Sequence, residues 1–253
     1  MIKPQELTSN VLHDKVATTY GLSFHQSYTQ YLKYLLIEQL ASSTDICLDV
    51  GIATGIYSLP LADKVQSIHG IDISAPMLAE CQKNIDERGY QNIHLHEMSA
   101  TQLDFPDQTF DLIYAYSVLL LIPEIDLAFQ EIARVIKPKG HAVLDITGRY
   151  NLSQIRWRRY YRQLGHFGLH AFTLEKMKAK LASYGFDILE IHATGCLDQW
   201  KYIRGLDRLT FLDKVTHASS QKPDLDYRIS QRFPRFANRW YVVVRKSTNG
   251  YYA

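Results

Sequence analysis

Two patterns of hydrophobic and polar positions alternate along the central part of the chain. Five short stretches are predicted as strands, at 46–50, 67–71, 92–96, 110–115 and 141–147, and the first is a short apolar run of the kind found in strands covered on both faces. Stretches with apolar residues at helical spacing lie between them, at 56–62, 74–88 and 124–136. This alternation predicts an α/β fold, a mostly parallel sheet with helices on both faces. Ligands of such sheets bind at the carboxyl ends of the strands.

The pattern is less regular on both sides of this region. Helical spacing predicts a helix that ends near Leu40, and further helices at 152–164 and 173–184. Strands predicted at 186–192 and 240–244 bring the sheet to seven strands in a Rossmann-like arrangement. Residues 196–236 have little periodicity and many aromatic and basic residues, which indicates an insertion.

Composition favours a folded protein without a membrane span. The 253 residues are 46% hydrophobic and 21% charged, as is typical of globular domains. The longest nearly apolar stretch, Leu112–Pro123, is too short to cross a bilayer, and no signal peptide is recognisable. The cysteines Cys47, Cys81 and Cys196 are scattered, which indicates a reducing compartment and no metal site. We therefore expect a cytoplasmic protein with no membrane partner.

Charge is distributed unevenly along the chain, although the net charge is only +2. Residues 1–150 carry 10 Lys and Arg against 18 Asp and Glu, whereas residues 151–253 carry 18 against 8. A basic C-terminal part indicates an anionic partner for that part of the molecule. Mutual neutralisation of the two halves across an internal interface explains the asymmetry equally well.

The sharpest local signal is the segment Leu48–Gly55, a predicted strand that leads through a glycine-bearing turn into a helix. Small residues at 51, 53 and 55 let the backbone approach a ligand, and glycine adopts positive φ at little cost. Asp72 ends the next predicted strand, where a carboxylate can accept hydrogen bonds from both ribose hydroxyls of a nucleoside. The nicotinamide-dinucleotide fingerprint is absent, because Ile56 occupies the position of its third glycine.

Several motifs in order resemble those of the class I S-adenosylmethionine-dependent methyltransferases, in particular the group that methylates small molecules. The resemblance extends over about residues 44–148. It is carried by Leu-Asp-Val-Gly-Ile-Ala-Thr-Gly at 48–55, Gly-Ile-Asp-Ile-Ser at 70–74, Leu-Asp-Phe-Pro-Asp at 103–107 and Glu-Ile-Ala-Arg-Val-Ile-Lys-Pro-Lys-Gly at 131–140.

The resemblance implies S-adenosyl-L-methionine as the cofactor and S-adenosyl-L-homocysteine as the product. It implies that the ribose is held by Asp72, that the adenine is flanked by Ile73 and Met77, and that Asp49 orients the turn or receives the cofactor's amino group. The other implied cofactor contacts are Tyr20, which closes over the site, Gly51, Ala53, Gly55, Ser99, Ala100 and Ala115.

No motif fixes the acceptor or a catalytic base. Candidate acceptor contacts are the aromatic and basic residues that follow strands four and five or lie in the insertion: Tyr116, Trp157, Arg158 and Trp200. The segment Ala115–Val118 stands where enzymes that methylate the amino groups of nucleobases carry Asn/Asp-Pro-Pro-Tyr, which argues against such acceptors. The oligomeric state is not indicated.

We expect an N-terminal helical lid at 1–43, a cofactor-binding domain formed by 44–195 with 237–246, and an insertion at 196–236 that shapes the acceptor site. The expected reaction is methyl transfer to oxygen or nitrogen of a small or peptidic metabolite, and the basic C-terminal part favours an anionic acceptor. Two alternatives remain. The basic insertion allows an RNA-modifying enzyme, although nucleic acid is disfavoured as a partner because no RNA-binding module accompanies it. Ala53, Ser99 and Leu120 replace residues usual in the family, which allows a non-catalytic cofactor- or partner-binding protein.

Overall fold

The fold was determined as a computed structural model, which describes residues 27–163, 169–197 and 222–248. Within these ranges the strands form one seven-stranded sheet in the order β3-β2-β1-β4-β5-β7-β6. The strands are β1 (Ile46–Val50), β2 (Ser67–Asp72), β3 (Ile93–Glu97), β4 (Phe110–Ala115), β5 (Ile136–Thr147), β6 (Phe186–Thr194) and β7 (Arg239–Lys246). The helices are α1 (Tyr28–Leu40), α2 (Ser58–Leu61), α3 (Ala75–Arg88), α4 (Ile125–Val135), α5 (Ser153–Gln163), α6 (Leu174–Ser183) and α7 (Leu225–Arg232).

Neighbouring strands from β3 to β5 run parallel, and β7 is antiparallel to both β5 and β6. The order of the strands reverses between β1 and β4, because the chain builds outwards from β1 to β3 and then returns to add β4 on the other side. Ligand crevices of open α/β sheets form at such a reversal. The Rossmann-like, mostly parallel sheet predicted from the sequence is confirmed.

Two hydrophobic clusters cover the two faces of the sheet. Alternate residues of β7 belong to different clusters: Trp240, Val242 and Val244 belong to the cluster that includes residues of α4 and α6, whereas Tyr241 and Val243 belong to the one that includes residues of α1 and α3. A strand that is apolar at every position therefore serves both clusters, as expected for a sheet with helices on each side.

α3 has a side-chain N-cap and a glycine at its end. The Ser74 hydroxyl accepts a hydrogen bond from the Met77 amide at 3.3 Å, and Gly89 ends the helix with φ +72°. These two ends fix where α3 begins after β2, and so fix the short segment 72–74 at the carboxyl edge of the sheet.

Two predicted elements differ from those of the structure. β5 begins at Ile136 rather than at 141, because Ile136 pairs with Phe110 before an irregularity that lets Leu112 pair with His141. Pro138 and Gly140 therefore lie inside the irregular start of a strand. The predicted helix at 56–62 is reduced to one α-helical turn, α2, followed by a 3-10 turn at Ala62–Lys64.

The predicted insertion contains a helix that its weak periodicity did not reveal. α7 occupies Leu225–Arg232, and the Asp224 carboxylate caps it by accepting a hydrogen bond from the Tyr227 amide at 2.7 Å. Buried Asp226 accepts hydrogen bonds from the amides of Gly195 and Leu197, both at 2.6 Å. Polar contacts to the end of β6 therefore attach this helix to the sheet, which explains its weak apolar pattern.

Candidate functional site

A partly open cavity lies at the carboxyl ends of β1, β2 and β4, where the strand order reverses. Its lining comes from the segments that follow these strands and from the start of α3: Val50, Gly51, Ala53, Ile71, Asp72, Ile73, Met77, Met98, Ser99, Ala100, Tyr116, Ser117, Val118, Leu121 and Ile122.

Eight of the residues singled out in the sequence lie in this lining: Gly51, Ala53, Asp72, Ile73, Met77, Ser99, Ala100 and Tyr116. Asp49, Gly55 and Ala115 lie behind it, while Trp157 and Arg158 are on α5 and do not line it. Tyr20 and Trp200 are outside the described residues. Sequence reasoning missed the apolar wall formed by Val118, Leu121 and Ile122. The only indication of this wall in the sequence was the run of apolar residues that follows β4.

The turn after β1 is held in an unusual backbone conformation. Gly51, Ala53 and Gly55 have φ of +78°, +49° and +87°, in the left-handed region that glycine tolerates best. A Cβ atom at Gly51 would lie 2.9 Å from the Val118 Cβ, closer than two carbon atoms can pack. The position thus requires glycine both for its φ and for its contact with the wall of the cavity.

Two backbone amides orient the Asp72 carboxylate at the mouth of the turn. The Ala53 amide donates to one carboxylate oxygen and the Ser74 amide to the other, both at 3.0 Å. Each oxygen of an ionised carboxylate accepts more than one hydrogen bond, so both can also accept from a ligand. Because Asp72 lines the cavity, its orientation is set for a ligand with paired hydroxyl donors.

Asp49 supports the turn from below. It is 4% exposed and accepts a hydrogen bond of 2.6 Å from the Ser58 hydroxyl, which lies 2.7 Å from the Tyr114 hydroxyl. Burial raises the pKa of Asp49 to about 7, the Asp72 charge adds to this rise, and the Ser58 hydrogen bond opposes it. The resemblance implies that Asp49 either orients the turn or receives the cofactor's amino group, and these contacts match the first of these roles.

A buried polar cluster supports the opposite wall. Ser117, with φ +60°, donates to Asp145 from its amide at 3.0 Å and its hydroxyl at 3.2 Å. Lys33 Nζ of α1 lies 3.6 Å from Asp145, and Arg239 donates to Asp145 at 3.1 Å. Burial lowers the pKa of Lys33, an effect that Asp145 opposes. The cluster holds α1, β5 and β7 against the segment that lines the cavity.

Tyr116 lies beside this cluster with its hydroxyl already engaged. The hydroxyl donates to the Lys33 carbonyl oxygen at 2.6 Å, and Lys33 Nζ lies 5.3 Å from the centre of the Tyr116 ring. Burial raises the pKa of Tyr116 well above its ordinary value, so this phenol stays protonated at neutral pH. Tyr116 therefore contributes shape and a cation–π contact rather than a proton acceptor.

A second, open cleft is lined by α5 residues with three guanidinium groups: Ile155, Arg158, Arg159, Arg162 and Gln163. The buried Arg158 Nε has no hydrogen-bond partner among the described residues. Partial burial and the charges of Arg149 and Arg162 lower the pKa of Arg158, as expected where like charges cluster. Within the described ranges no cluster of side chains could hold a metal ion.

The model of a methyltransferase domain family matches residues 48–144, which include the glycine turn, β2 with Asp72, and β4. This part of the chain is therefore similar to a methyltransferase domain. The matched residues include the whole lining of the cavity, from Val50 to Ile122.

The chain is also similar to curated methyltransferases. Phosphatidylethanolamine N-methyltransferase of Cereibacter sphaeroides is 39% identical over 98 residues, 38% of this chain and 48% of the relative. Demethylmenaquinone methyltransferase of Anoxybacillus flavithermus is 32% identical over 125 residues, 47% of this chain and 53% of the relative. This chain thus spans about half the length of these relatives.

Solved structures agree with the fold over a greater length. The [4+2]-cyclase SpnF has a TM-score of 0.69 at 20% identity, and the match covers 98% of both chains. A Haemonchus contortus phosphoethanolamine N-methyltransferase 2 complex with S-adenosylhomocysteine has a TM-score of 0.62 at 21% identity, covering 87% of this chain and 53% of that one. At these identities the likeness concerns the fold alone.

No helix among the described residues is both long and apolar enough to cross a membrane.

Proposed function

We propose that this protein transfers a methyl group from S-adenosyl-L-methionine to oxygen or nitrogen of a small or peptidic metabolite that carries an anionic group. The observation that carries the proposal is the Asp72 carboxylate, oriented by two backbone amides at the mouth of a glycine turn, in the cavity at the carboxyl ends of the strands. The match of residues 48–144 to a methyltransferase domain supports it independently.

The residues present fit the cofactor. Asp72 would accept hydrogen bonds from the ribose hydroxyls, Ile73 and Met77 would pack against the adenine, and Ser99 and Ala100 would border its edge. The methionine part would lie against Gly51 and Ala53, where a larger residue at 51 would meet Val118. Asp49, Gly55 and Ala115 would support this surface from behind, and Tyr20 would close over it. When bound, S-adenosyl-L-methionine supplies a methyl group on a sulfonium, an electrophile that needs no further activation.

The chain's contribution to the reaction would be mainly orientation and exclusion of water. Val118, Leu121 and Ile122 form an apolar wall that would exclude water from the acceptor. Ser117 places a hydroxyl in the same lining, fixed by Asp145 and Lys33. A positioned acceptor gains reactivity because its approach is already restricted to the productive direction.

An anionic group on the acceptor would be held by α5. Arg158 Nε is a buried donor that lacks a hydrogen-bond partner among the described residues, and leaving such a donor unsatisfied is costly. Arg159 and Arg162 line the same cleft, and guanidinium groups match phosphate and carboxylate oxygens. Trp157, on the same helix, and Trp200 in the insertion remain proposed acceptor contacts, as does Tyr116 in the cavity. Residues 1–43 would act as a lid and 196–236 would complete the acceptor site.

The experiment is a turnover assay that measures S-adenosylhomocysteine formation with matched acceptors. Each amine or alcohol is supplied in two forms, one with a phosphate or carboxylate and one neutral. We expect turnover with anionic acceptors and a several-fold higher KM for Arg158→Gln, with kcat and cofactor affinity unchanged. Equal turnover of the neutral acceptors, or an unchanged KM in the variant, contradicts the anionic acceptor.

A second candidate is a protein that binds the cofactor without methylating an acceptor. Ala53 with φ +49° adds a methyl group where the resemblance expects glycine, and the Ser99 hydroxyl lies 2.8 Å from the Thr101 hydroxyl rather than being held ready for the adenine. A fold of this kind also occurs in a [4+2]-cyclase, and fold does not determine chemistry. Cofactor binding without turnover of any acceptor in the panel would favour this candidate.

A further inference from the structure

Ser117 connects the lining of the cavity with ionisable groups that do not line it. Its hydroxyl donates to Asp145 at 3.2 Å and accepts from Lys33 Nζ at 3.3 Å. The Asp145 side chain is fully buried, and that of Lys33 is only 11% exposed. Ser117 itself lines the cavity directly after β4. A proton on a ligand in the cavity could therefore reach the interior of the protein through this one hydroxyl.

The backbone holds Ser117 at this junction. Its φ of +60° lies in the left-handed region, which is unfavourable for a residue with a side chain. The Ser117 amide donates at 3.0 Å to the same Asp145 oxygen that the hydroxyl contacts. Backbone strain of this kind persists only where the surroundings impose it, and it is concentrated at functional sites.

Ser117 lies close to the expected place of the reaction. Its neighbour Val118 packs on the glycine turn, because a Cβ atom at Gly51 would lie 2.9 Å from the Val118 Cβ. The proposed function places the methionine part of the cofactor against Gly51 and Ala53. An acceptor that approaches the methyl group from the apolar wall would therefore meet Ser117.

The surroundings of Lys33 favour an amine over an ammonium. Burial lowers the pKa of Lys33, Asp145 opposes this effect, and the charge of Arg239 adds to it. Lysines with a lowered pKa serve as proton acceptors in enzymes. Groups on three neighbouring parts of the fold and on β7 face Lys33: Tyr57 before α2, Tyr116 after β4, Asp145 of β5, and Arg239 and Tyr241 of β7.

We propose that Ser117 and Lys33 form a proton relay for the acceptor: the Ser117 hydroxyl takes the proton of the attacking oxygen or nitrogen and passes its own proton to Lys33 Nζ. The hydroxyl hydrogen can rotate from Asp145 towards Lys33 for this transfer. As the bond between the attacking atom and the methyl carbon forms, the bond between that carbon and sulfur breaks, and its electron pair stays on sulfur. One positive charge disappears at sulfur and one appears on Lys33. The relay presupposes the proposed methyl transfer.

Lys33 is a better final proton acceptor than Asp145. Asp145 accepts hydrogen bonds from Arg239 at 3.1 Å and from the Ser117 amide, and its protonation would remove the counter-charge of a guanidinium. An ammonium on Lys33 would instead lie 3.6 Å from the Asp145 carboxylate. It would also lie 5.9, 5.3 and 5.2 Å from the centres of the three tyrosine rings that face it, within the range of cation–π contacts.

A purely structural cluster predicts different consequences. If Ser117 and Lys33 only held α1 against the sheet, their replacement would lower stability and cofactor affinity. A relay acts only in the reaction, so its loss lowers kcat while the binding of S-adenosylhomocysteine persists. Proton transfer by a positioned side chain contributes about a hundredfold to ten-thousandfold in rate.

The first test is kinetic and uses the acceptor that wild type turns over fastest in the assay above. Ser117→Ala should lower kcat about a hundredfold, far more than it raises KM. Lys33→Arg keeps a cation but cannot lose a proton, so kcat should fall as far. Ser43→Ala and Lys83→Arg are the matched controls at exposed positions and should retain the wild-type kcat. Thermal unfolding and S-adenosylhomocysteine affinity are measured for every variant.

The second test observes the proton on Lys33 without any acceptor. Protein labelled with carbon-13 at the lysine Cε atoms is titrated by NMR, and the signals of Lys33 and Lys83 are assigned from their arginine variants. We expect the Lys33 signal to titrate at lower pH than that of Lys83. The result stands even if Lys33→Arg is too unstable for kinetics, in which case Ser117→Ala alone carries the first test.

The outcomes separate the relay from the activity. A kcat near that of wild type in Ser117→Ala, a loss of S-adenosylhomocysteine affinity as large as the loss of kcat, or a Lys33 signal that titrates no lower than that of Lys83 would overturn the relay and leave methyl transfer intact. Absence of S-adenosylhomocysteine formation by wild type with every acceptor would overturn the proposed function, and the relay with it.

Discussion

The Ala53 amide donates a hydrogen bond of 3.0 Å to the Asp72 carboxylate. This contact joins the turn after β1 to the end of β2, and the Ser74 amide holds the second carboxylate oxygen at the same distance. The carboxylate is thus oriented by the backbone before a ligand arrives. Such preorganisation lowers the entropy lost on binding.

Ala53→Gly should stabilise the protein slightly. Alanine at φ +49° carries a left-handed penalty of about 1–2 kcal/mol, and glycine would remove it at an entropic cost of about 0.5–1 kcal/mol. We expect the free energy of unfolding to rise by up to about 1 kcal/mol in chemical denaturation. The control is Ala79→Gly on the exposed side of α3, which should lower it by about 1 kcal/mol. Equal losses in both variants would contradict a strained turn.

Gly51→Ala should be more harmful than the same change at Gly89. Both glycines have positive φ, +78° and +72°, but a Cβ atom at Gly51 would lie 2.9 Å from the Val118 Cβ, whereas at Gly89 it would meet no atom within 4 Å. Each variant loses about 1–2 kcal/mol from φ alone, and overpacking adds about 1–3 kcal/mol at Gly51. Denaturant titrations give both values.

The double variant Gly51→Ala/Val118→Ala separates the two causes. It should recover the stability lost through the clash but not the loss from φ, and it also opens space beside the turn. A Gly51→Ala variant as stable as Gly89→Ala would show that Val118 does not press on the turn.

Asp49→Asn should change the pH dependence of stability. Burial raises the folded-state pKa of Asp49 to about 7 from 3.8, so between these values only the folded state holds the proton. Wild-type stability from this group is therefore present at low pH and lost as the pH rises from about 4 to about 7. The asparagine variant lacks this loss, which amounts to at most about 4 kcal/mol at about 1.4 kcal/mol per pH unit.

Thermal unfolding at pH 5 and pH 8 measures the effect. Relative to wild type, Asp49→Asn should gain stability at the higher pH, and asparagine can still accept the Ser58 hydrogen bond. Exposed Asp86→Asn is the control and should follow wild type at both values. If Asp49→Asn tracks wild type as well, Asp49 is ionised in the folded protein.

The parts of this molecule that could be predicted from its sequence are those that local patterns mark. The alternation of short strand-like and helical stretches located the five parallel strands, and the spacing from the glycine turn to Asp72 located two sides of the cavity. The start of β5 was missed because Pro138 and Gly140 normally end an element, and here an irregular pairing absorbs them. Secondary-structure signals do not report such irregularities.

The Ser117–Asp145 contact had no local signal at all. The two residues are 28 positions apart, and what unites them is that β4 and β5 end side by side. Lys33 and Arg239 join them from α1 and β7, elements that neighbour this site only in the folded sheet. A single sequence shows neither the pairing nor the charge balance of such a cluster.

The central prediction is that Asp72 binds the ribose hydroxyls of the cofactor. Charge-assisted hydrogen bonds contribute about 1.5–3 kcal/mol each, so Asp72→Ala should weaken cofactor binding at least about tenfold. Asp72→Asn keeps the size of the side chain and should also weaken binding. Asp104→Ala removes an exposed carboxylate that does not line the cavity and should bind as wild type does.

The decisive measurement is calorimetric titration of wild type and these variants with S-adenosylmethionine and S-adenosylhomocysteine, with NAD as the control ligand. The account predicts that wild type binds both adenosyl compounds and not NAD, and that the affinity falls in Asp72→Ala while Asp104→Ala is unaffected. Absence of binding by wild type, or equal affinity in wild type and Asp72→Ala, would contradict it.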